Sequence, residues 1–179
     1  MQTSTSPAAD IVSGETAPSL PTIGNDTVEI LLNDHRTIKS LISQLTAARD
    51  RTERTAILER LKGALTVHNA TEENIVYPAI RIVGKHIVES ERLYHQTAEA
   101  DINVFELDLM LKGQLEESDF TEKAEKLKIA ILGHIELEEQ HAFRHLREHA
   151  TPEQNSVLTA SVRKFRETIK LNPQPAMSR

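Results

Sequence analysis

The stretch HNATEENIVYP, residues 68–78, has a counterpart in HIELEEQHAFR, residues 134–144. Both follow the pattern H-x-x-x-E-E-[NQ]-x-[VA]-[YF], and in each a histidine stands four residues before a glutamate. A separation of four residues places two side chains on the same face of an α-helix, about one turn apart. Aliphatic residues recur around both stretches every three or four positions, so this face is predicted to point into a helical core.

The composition favours an all-α fold with an aliphatic core. Among the 179 residues there is no Cys and no Trp, and aromatic residues make up only 3% of the chain. Four long stretches show helical periodicity, short breaks join them, and no alternation typical of strands is present. We therefore predict an up-down-up-down four-helix bundle over residues 26–149 and a short fifth helix over 150–170. A disordered tail is predicted at 1–25 and a loose tail at 171–179.

Capping signals mark the boundaries of the predicted helices. Gly84 and Gly113 follow the second and third apolar stripes, where glycine commonly ends a helix. Thr151, Pro152 and Gln154 together form a start signal for the fifth helix, with a capping hydroxyl, a proline at the first helical position and a glutamine three residues after the cap. The other predicted caps are Asn25 or Asp26, Thr52, and Ser118 or Asp119.

Charge and composition exclude several classes of function. The formal net charge is -6 and there is no basic cluster, so a nucleic-acid partner is not expected. No apolar run reaches the ~20 residues that a membrane helix needs, and the N-terminus lacks the layout of a signal peptide. A cytoplasmic location without membrane attachment is therefore expected. Because the chain has no cysteine, thiol catalysis and thiolate metal sites are excluded.

Histidines recur at one level of the predicted bundle. Because the helices fold back at short turns, residues equidistant from a turn lie at the same height. The midpoint of His35 and His68 falls in the break at residues 49–52, and the midpoint of His95 and His134 falls in the turn before the fourth helix. The predicted core-facing stripe of the third helix consists of Val88, His95, Ile102 and Leu109.

Polar side chains buried at one level need a partner, because an unpaired buried carboxylate is costly. A metal centre provides one, since neutral imidazoles donate lone pairs and carboxylates bring negative charge. These ligand types without sulfur suit Fe, Mn or Zn, and six ligands exceed what one tetrahedral zinc takes. The interpretation is a carboxylate-bridged dinuclear site with iron as the favoured metal. The predicted ligands are His35, His68, Glu72, His95, His134 and Glu138.

These motifs resemble the hemerythrin family, in its HHE cation-binding branch. The family pattern H…H-x-x-x-E…H…H-x-x-x-E is met in order by the six predicted ligands, over about residues 27–145. The resemblance implies a four-helix bundle that holds two Fe ions as an oxo- or hydroxo-bridged non-heme centre. It also implies that one iron takes more histidines than the other and that both share Glu72 and Glu138.

Two departures from the oxygen-carrying hemerythrins bear on the activity. Their third helix supplies H-x-x-x-H where this chain has His95 and Glu99, and their last motif is H-x-x-x-x-D where this chain has His134 and Glu138. The missing fifth imidazole leaves one position open, or filled by Glu99, a tyrosine or water. The resemblance then implies chemistry with hydrogen peroxide, oxygen or nitric oxide and a role in stress protection, rather than reversible oxygen carriage.

Three further residues are candidates for an additional ligand or an outer contact. Glu99 lies one turn past the third-helix histidine, and His141 is interpreted as a histidine at the rim. Tyr77 points about 180° away from His68 on an ideal helix, so packing is its expected role unless a kink near Pro78 turns its hydroxyl inward. The polar residues predicted to lie at the surface are Glu73, Glu139, His86, His145 and His149.

Three functions remain open from the sequence. The first is an enzyme that disproportionates hydrogen peroxide, as a weak catalase would, at the two Fe ions. The second is a protein that binds or senses oxygen or nitric oxide, or binds iron, without turnover. The third, a helical interaction module with a structural metal, is disfavoured because a bundle of ~120 residues should fold without a metal. No protein partner is indicated.

Overall fold

The computed structural model describes residues 26–84, 87–116 and 118–171. The predicted tail at 1–25 lies outside the described residues, as do 172–179 of the predicted C-terminal tail. Two π-helical turns, Glu72–Val76 and Glu138–Ala142, join α2 to α3 and α5 to α6. The α-helices are α1 (Thr27–Ala47), α2 (Arg51–Thr71), α3 (Tyr77–Gly84), α4 (Ile87–Leu111), α5 (Phe120–Leu137), α6 (Phe143–His149) and α7 (Pro152–Leu171).

The long helices form the predicted four-helix bundle. α1 packs against α2 and α5, and α4 packs against the same two helices, so that the four surround a common core. α2 with α3, and α5 with α6, each form one arm of the bundle through the π-turn between them. The all-α fold class is therefore confirmed. Within the described residues, no helix is both long enough and apolar enough to cross a membrane.

Two apolar clusters divide the core along the bundle axis. His35 stands in α1 between Leu31 of one cluster and Ile38 of the other, and all three side chains are fully buried. The other motifs are placed in the same way between the two clusters along their own arms. The polar site therefore lies in a layer with aliphatic packing on both sides. One cluster includes Ile38, Ile42, Leu61, Leu107 and Leu127. The other includes Leu31, Val76, Tyr77, Phe143 and Val162.

The helix caps agree with most of the predicted signals. Asp26 caps α1 by accepting a hydrogen bond from the Glu29 backbone N–H at 2.8 Å. At the start of α7 the Gln154 N–H donates to Thr151 Oγ1 at 3.2 Å, and the Thr151 N–H donates to the Gln154 side chain at 2.9 Å. This reciprocal pair is the predicted capping box. The prediction of Thr52 as a cap is wrong, because α2 begins earlier and Asp50 caps it.

A π-helical turn follows the histidine of each motif. In the first turn the Tyr77 N–H donates to the Glu72 carbonyl, and in the second the Phe143 N–H donates to the Glu138 carbonyl. A hydrogen bond across five residues inserts one extra residue into the helix and rotates everything that follows. Because Arg144 occupies in the second motif the place of Pro78 in the first, the missing N–H of proline does not by itself account for the turn.

The predicted inward face of α4 is wrong. The His95 side chain is exposed, and Ile102 of the same predicted stripe is 61% exposed. Residues two positions apart on a helix differ by about 200° in direction, so burying Thr97 turns His95 away from the core. The observed buried stripe instead steps by four and three residues. It consists of Leu93, Thr97, Ala100, Val104, Leu107 and Leu111.

The C-terminal helix packs on the bundle beside the polar layer. α7 contacts α1, α2 and the first π-turn. Val162 of α7 is completely buried, and Thr159 Oγ1 accepts a hydrogen bond of 3.1 Å from the backbone N–H of Thr27. α7 therefore covers the N-terminal part of α1 and the region where α2 ends. The predicted helix at 150–170 is thus observed as Pro152–Leu171.

Candidate metal centre

Four buried side chains place their ligating atoms together in the polar layer. One nitrogen each from His35 and His68 and one oxygen each from Glu72 and Glu138 all lie within 4.8 Å of one another. His35, Glu72 and Glu138 are completely buried, and His68 is 2% exposed. α1, α2 and the two π-turns supply these groups, so the site joins three arms of the bundle.

The two sequence motifs have nearly the same local geometry. His68 Nε2 lies 3.2 Å from Glu72 Oε2, and His134 Nε2 lies 3.3 Å from Glu138 Oε1. The other carboxylate oxygen of Glu138, Oε2, lies 3.2 Å from His35 Nε2. The two oxygens of Glu138 therefore face histidines of two different helices, which is the arrangement of a carboxylate that can bridge two cations.

Carboxylates behind the histidines determine which ring nitrogen faces the centre. His35 Nδ1 lies 2.9 Å from Glu139 Oε1, and His68 Nδ1 lies 3.4 Å from Asp34 Oδ2. An ionised carboxylate only accepts hydrogen bonds, so each Nδ1 carries the proton. In neutral rings the Nε2 lone pairs of His35 and His68 then point at each other across 3.2 Å. A cation bound by both nitrogens would relieve this repulsion.

The carboxylates behind the histidines are themselves held by basic side chains. Lys39 donates to Glu139 Oε1 at 2.9 Å, and Arg166 of α7 donates to Asp34 Oδ2. The prediction that Glu139 is simply solvated is wrong, because its side chain is 32% exposed and bonds His35. These partners come from distant parts of the chain, so no sequence spacing points to them.

Tyr77 points into the centre, contrary to its expected packing role. Its hydroxyl donates to Glu138 Oε1 at 2.6 Å, lies 3.1 Å from Glu72 Oε2, and lies 3.5 Å from His134 Nε2. The extra residue of the π-turn reduces the rotation between His68 and Tyr77 from about 180° to roughly 80°. Phe143 holds the equivalent position after the second π-turn, and its ring stacks on His35 at a centroid distance of 5.2 Å.

Burial and neighbouring charges determine the protonation of the site. Burial raises the pKa of Glu72 well above its ordinary value, and the charge of Glu138 adds to that rise. Burial acts on Glu138 too, but the adjacent imidazoles of His134 and His35 outweigh it and hold the pKa of Glu138 below its ordinary range. Burial lowers the pKa of His68. It also raises the pKa of Tyr77, an effect that both glutamates reinforce.

Two buried oxygens of the centre lack a hydrogen bond among the described residues. They are Glu72 Oε1 and Glu138 Oε2. A buried carboxylate oxygen without a donor is costly, and coordination of a cation is one of the few ways to compensate for it. Together with the facing imidazole nitrogens, these oxygens form a donor set that fits a metal ion.

The predicted ligands do not all reach the centre. His35, His68, Glu72 and Glu138 form the cluster, and His134 adjoins it through Glu138. His134 is 9% exposed, and its Nδ1 lies 3.4 Å from Gln96 Oε1, which leaves Nε2 facing the centre. The candidates whose side chains are exposed and which are not part of the buried cluster are His95, Glu99 and His141. The surface prediction for His86 falls outside the described residues.

Comparison with known families identifies the class to which this bundle and its site belong. The family model of the hemerythrin HHE cation binding domain matches residues 26–158. The chain belongs to the hemerythrin HHE cation-binding family. Its buried cluster of histidines and glutamates suits the binding of metal that this family description implies.

Individual relatives agree with this assignment. An uncharacterized hemerythrin-like protein of Schizosaccharomyces pombe is 23% identical over 152 residues, which cover 83% of this chain and 72% of the relative. The crystal structure of a hemerythrin HHE cation binding domain-containing protein from Mycobacterium kansasii matches with a TM-score of 0.60 at 19% identity. That match covers 83% of this chain and 94% of the other. At this level of identity the structural likeness supports the fold.

Proposed function

We propose that the chain is a non-heme di-iron protein that reacts with hydrogen peroxide. The observation that carries the proposal is the convergence of three imidazole Nε2 atoms and two buried carboxylates, two of whose oxygens lack donors among the described residues. The proposed ligands are His35, His68, Glu72, His134 and Glu138, with the Tyr77 hydroxyl as a sixth group at the centre.

The donor set favours two iron ions over a single zinc. Three imidazoles, two carboxylates and a phenol exceed the four ligands of a structural zinc site, and none of them is sulfur. Glu138 directs one oxygen toward His134 and the other toward His35. This split supports two metal positions with a shared carboxylate. His35 and His68 would serve one position, and His134 the other.

A small cavity beside the centre supports a small, uncharged substrate. The cavity has a volume of about 20 Å³ and lies against His68 and His134. This is room for about one water-sized molecule. Apart from the two histidines, Asn69 and Thr97, the lining is aliphatic, which disfavours charged substrates. Its aliphatic lining residues are Ile38, Leu65, Ala100, Ile131 and Ile135.

The chain's own groups suit disproportionation of peroxide. Bound iron would supply the electron exchange, since it can cycle between two oxidation states. The Tyr77 hydroxyl donates to Glu138 Oε1 at 2.6 Å and so places a proton beside the centre. The chain has no cysteine to serve as a reductant. Peroxide itself is then the simplest reductant, and two molecules of hydrogen peroxide give one of oxygen and two of water.

Oxygen release from hydrogen peroxide tests this function. We expect the iron-loaded protein to evolve oxygen above the levels of metal-free protein and of free iron, at a rate below that of a heme catalase. Glu138→Ala should abolish the excess, because it removes the carboxylate shared by both metal positions. An oxygen electrode measures the rate. If the loaded protein evolves no more oxygen than the controls but forms a stable adduct with oxygen or nitric oxide, its function is binding or sensing.

A further inference from the structure

The C-terminal helix reaches the metal centre through one side chain. Arg166 of α7 donates from Nη2 to Asp34 Oδ2 in α1, and from Nε to Thr71 Oγ1 at 3.1 Å at the end of α2. The side chains of Arg166 and Asp34 are only 17% and 20% exposed. Arg166 therefore connects three helices at a partly buried point directly behind the centre.

The same oxygen of Asp34 also faces a ligand of the centre. Asp34 Oδ2 accepts from Arg166 and lies 3.4 Å from His68 Nδ1. Thr71, the other partner of Arg166, donates its hydroxyl hydrogen to the Val67 carbonyl at 2.6 Å and immediately precedes Glu72. Arg166 thus holds both the carboxylate that orients His68 and the turn of helix from which Glu72 projects.

We propose that Arg166 is a positioning residue for the metal centre, acting through Asp34 on His68. The inference rests on the proposed metal-binding function. A carboxylate on the outer nitrogen of a metal-binding histidine orients the ring and makes the inner nitrogen a better donor. The planar guanidinium with its several N–H groups can hold Asp34 and Thr71 at once, which a single ammonium group does less well. Without Arg166, the Asp34 carboxylate is free to turn toward solvent.

The charge balance around Asp34 agrees with this role. Burial alone would raise the pKa of Asp34, but hydrogen bonds from His68 and Arg166 outweigh it and hold the pKa below its ordinary value. Asp34 Oδ2 faces two donors, Arg166 Nη2 and the Nδ1–H of His68, and accepts a hydrogen bond from each, as a carboxylate can. An ionised, partly buried aspartate without its arginine would be poorly compensated.

The two histidines of the cluster differ in how their outer partners are held. The Glu139 carboxylate behind His35 is held by Lys39, which lies in α1 one turn after His35 and is 40% exposed. The Asp34 carboxylate behind His68 is held by an arginine 132 residues away in α7. The carboxylate behind His68 is therefore held in place by the docked C-terminal helix, whereas the carboxylate behind His35 is held by a residue of α1.

The test uses the full chain with Co²⁺, whose visible absorption reports on ligand geometry. We compare wild type with Arg166→Met, Asp34→Asn, the double variant, and Lys164→Met as a matched control. Lys164 is an exposed cation on the same helix, two residues away. We expect Arg166→Met and Asp34→Asn each to weaken Co²⁺ binding about 10–100-fold, as loss of an outer partner commonly does. Both should alter the visible bands, and the double variant should lose no more than Asp34→Asn alone.

Several outcomes would overturn the inference while leaving the metal function intact. One is an Arg166→Met protein that melts at a lower temperature but has the Co²⁺ spectrum and release rate of wild type, which makes Arg166 merely structural. Another is full additivity of the two substitutions. If Arg166→Met fails to fold, Arg166→Lys is measured in its place. Its Co²⁺ affinity is expected to lie between those of wild type and Asp34→Asn, and an affinity equal to that of wild type would contradict the inference. Failure of wild type to bind Co²⁺ would instead count against the proposed function.

Discussion

Replacing His68 by alanine is expected to remove most of the bound iron, whereas the same replacement at His95 is expected to leave the iron content unchanged. His68 is only 2% exposed and contributes a ligating atom to the cluster, whereas the His95 side chain is exposed. Loss of an outer partner of a ligand already costs about 10–100-fold in affinity, so loss of the ligand itself should cost more than ~100-fold.

Metal analysis after anaerobic loading with Fe²⁺ measures this difference, and circular dichroism checks that each variant remains helical. His149→Ala provides a second control, because His149 is exposed and its Nδ1 lies 3.1 Å from the His145 carbonyl, outside the centre. A His95→Ala protein that loses its iron while His68→Ala retains it would contradict the observed orientation of α4 and favour the predicted one.

Replacing Glu72 by glutamine is expected to stabilise the metal-free protein at neutral pH while weakening metal binding. Glu72 is completely buried beside Glu138, and burial with this neighbouring charge raises its pKa. A glutamine has nearly the same shape and carries no charge. The substitution should therefore raise the free energy of unfolding of the metal-free protein by roughly 1–3 kcal/mol at pH 7.

The sign of the pH dependence follows from the raised pKa. A carboxyl group whose pKa is higher in the folded state favours folding fully below its unfolded pKa, and this contribution is lost as the pH rises through the folded value. The stability advantage of Glu72→Gln over wild type should therefore be small near pH 5 and should grow toward pH 7. Each unit by which the fold raises the pKa of a carboxyl group corresponds to about 1.4 kcal/mol.

Thermal and urea unfolding of metal-free protein at several pH values measures this effect. Glu99→Gln is the matched control, since Glu99 is exposed and should show no such advantage. Added Fe²⁺ or Zn²⁺ should raise the melting temperature of wild type more than that of Glu72→Gln, because binding to the folded state stabilises it. A metal-free Glu72→Gln protein less stable than wild type at pH 7 would show that the two carboxylates do not repel each other in the fold.

The repeated motif predicts much of the centre because its spacing matches the helical turn. Each histidine–glutamate pair, His68 with Glu72 and His134 with Glu138, lies on an apolar stripe of its helix. Before and after each pair, aliphatic residues continue at steps of three and four. Because that face of each helix is buried, both polar side chains of the pair point into the core. The histidine Nε2 then lies 3.2 Å from the glutamate oxygen in the first pair and 3.3 Å in the second.

The orientation of α4 could not be read from its sequence in the same way. Ile102 and Phe105 are 61% and 52% exposed, so this helix carries large apolar residues on its outer face as well. A seven-residue repeat of apolar residues can therefore be found on the outer face of α4 as well as on the inner one. The repeat that contains the histidine lies on the outer face, so it predicts the wrong orientation. The buried stripe includes Thr97 and Ala100, small residues that a search for hydrophobic side chains passes over.

The role of Tyr77 was missed for a different reason. Extrapolation along an ideal helix sends its side chain away from His68, and only the extra residue of a π-turn brings the hydroxyl to 2.6 Å from Glu138. The pattern shared by the two motifs, which extends through Tyr77 and Phe143, was the available signal. Contacts such as that between Asp34 and Arg166 join residues 132 positions apart and depend on tertiary packing alone.

The number and kind of metal ions per chain test the central claim most directly. The protein would be purified and loaded with Fe²⁺ without oxygen, freed of loosely bound metal, and analysed for metal and protein content. The five proposed ligands converge, and the two oxygens of Glu138 face histidines of two different helices, so we predict close to two Fe per chain. A protein that takes up one Zn tightly and no second metal, even with Fe²⁺ in excess, would contradict a di-iron centre.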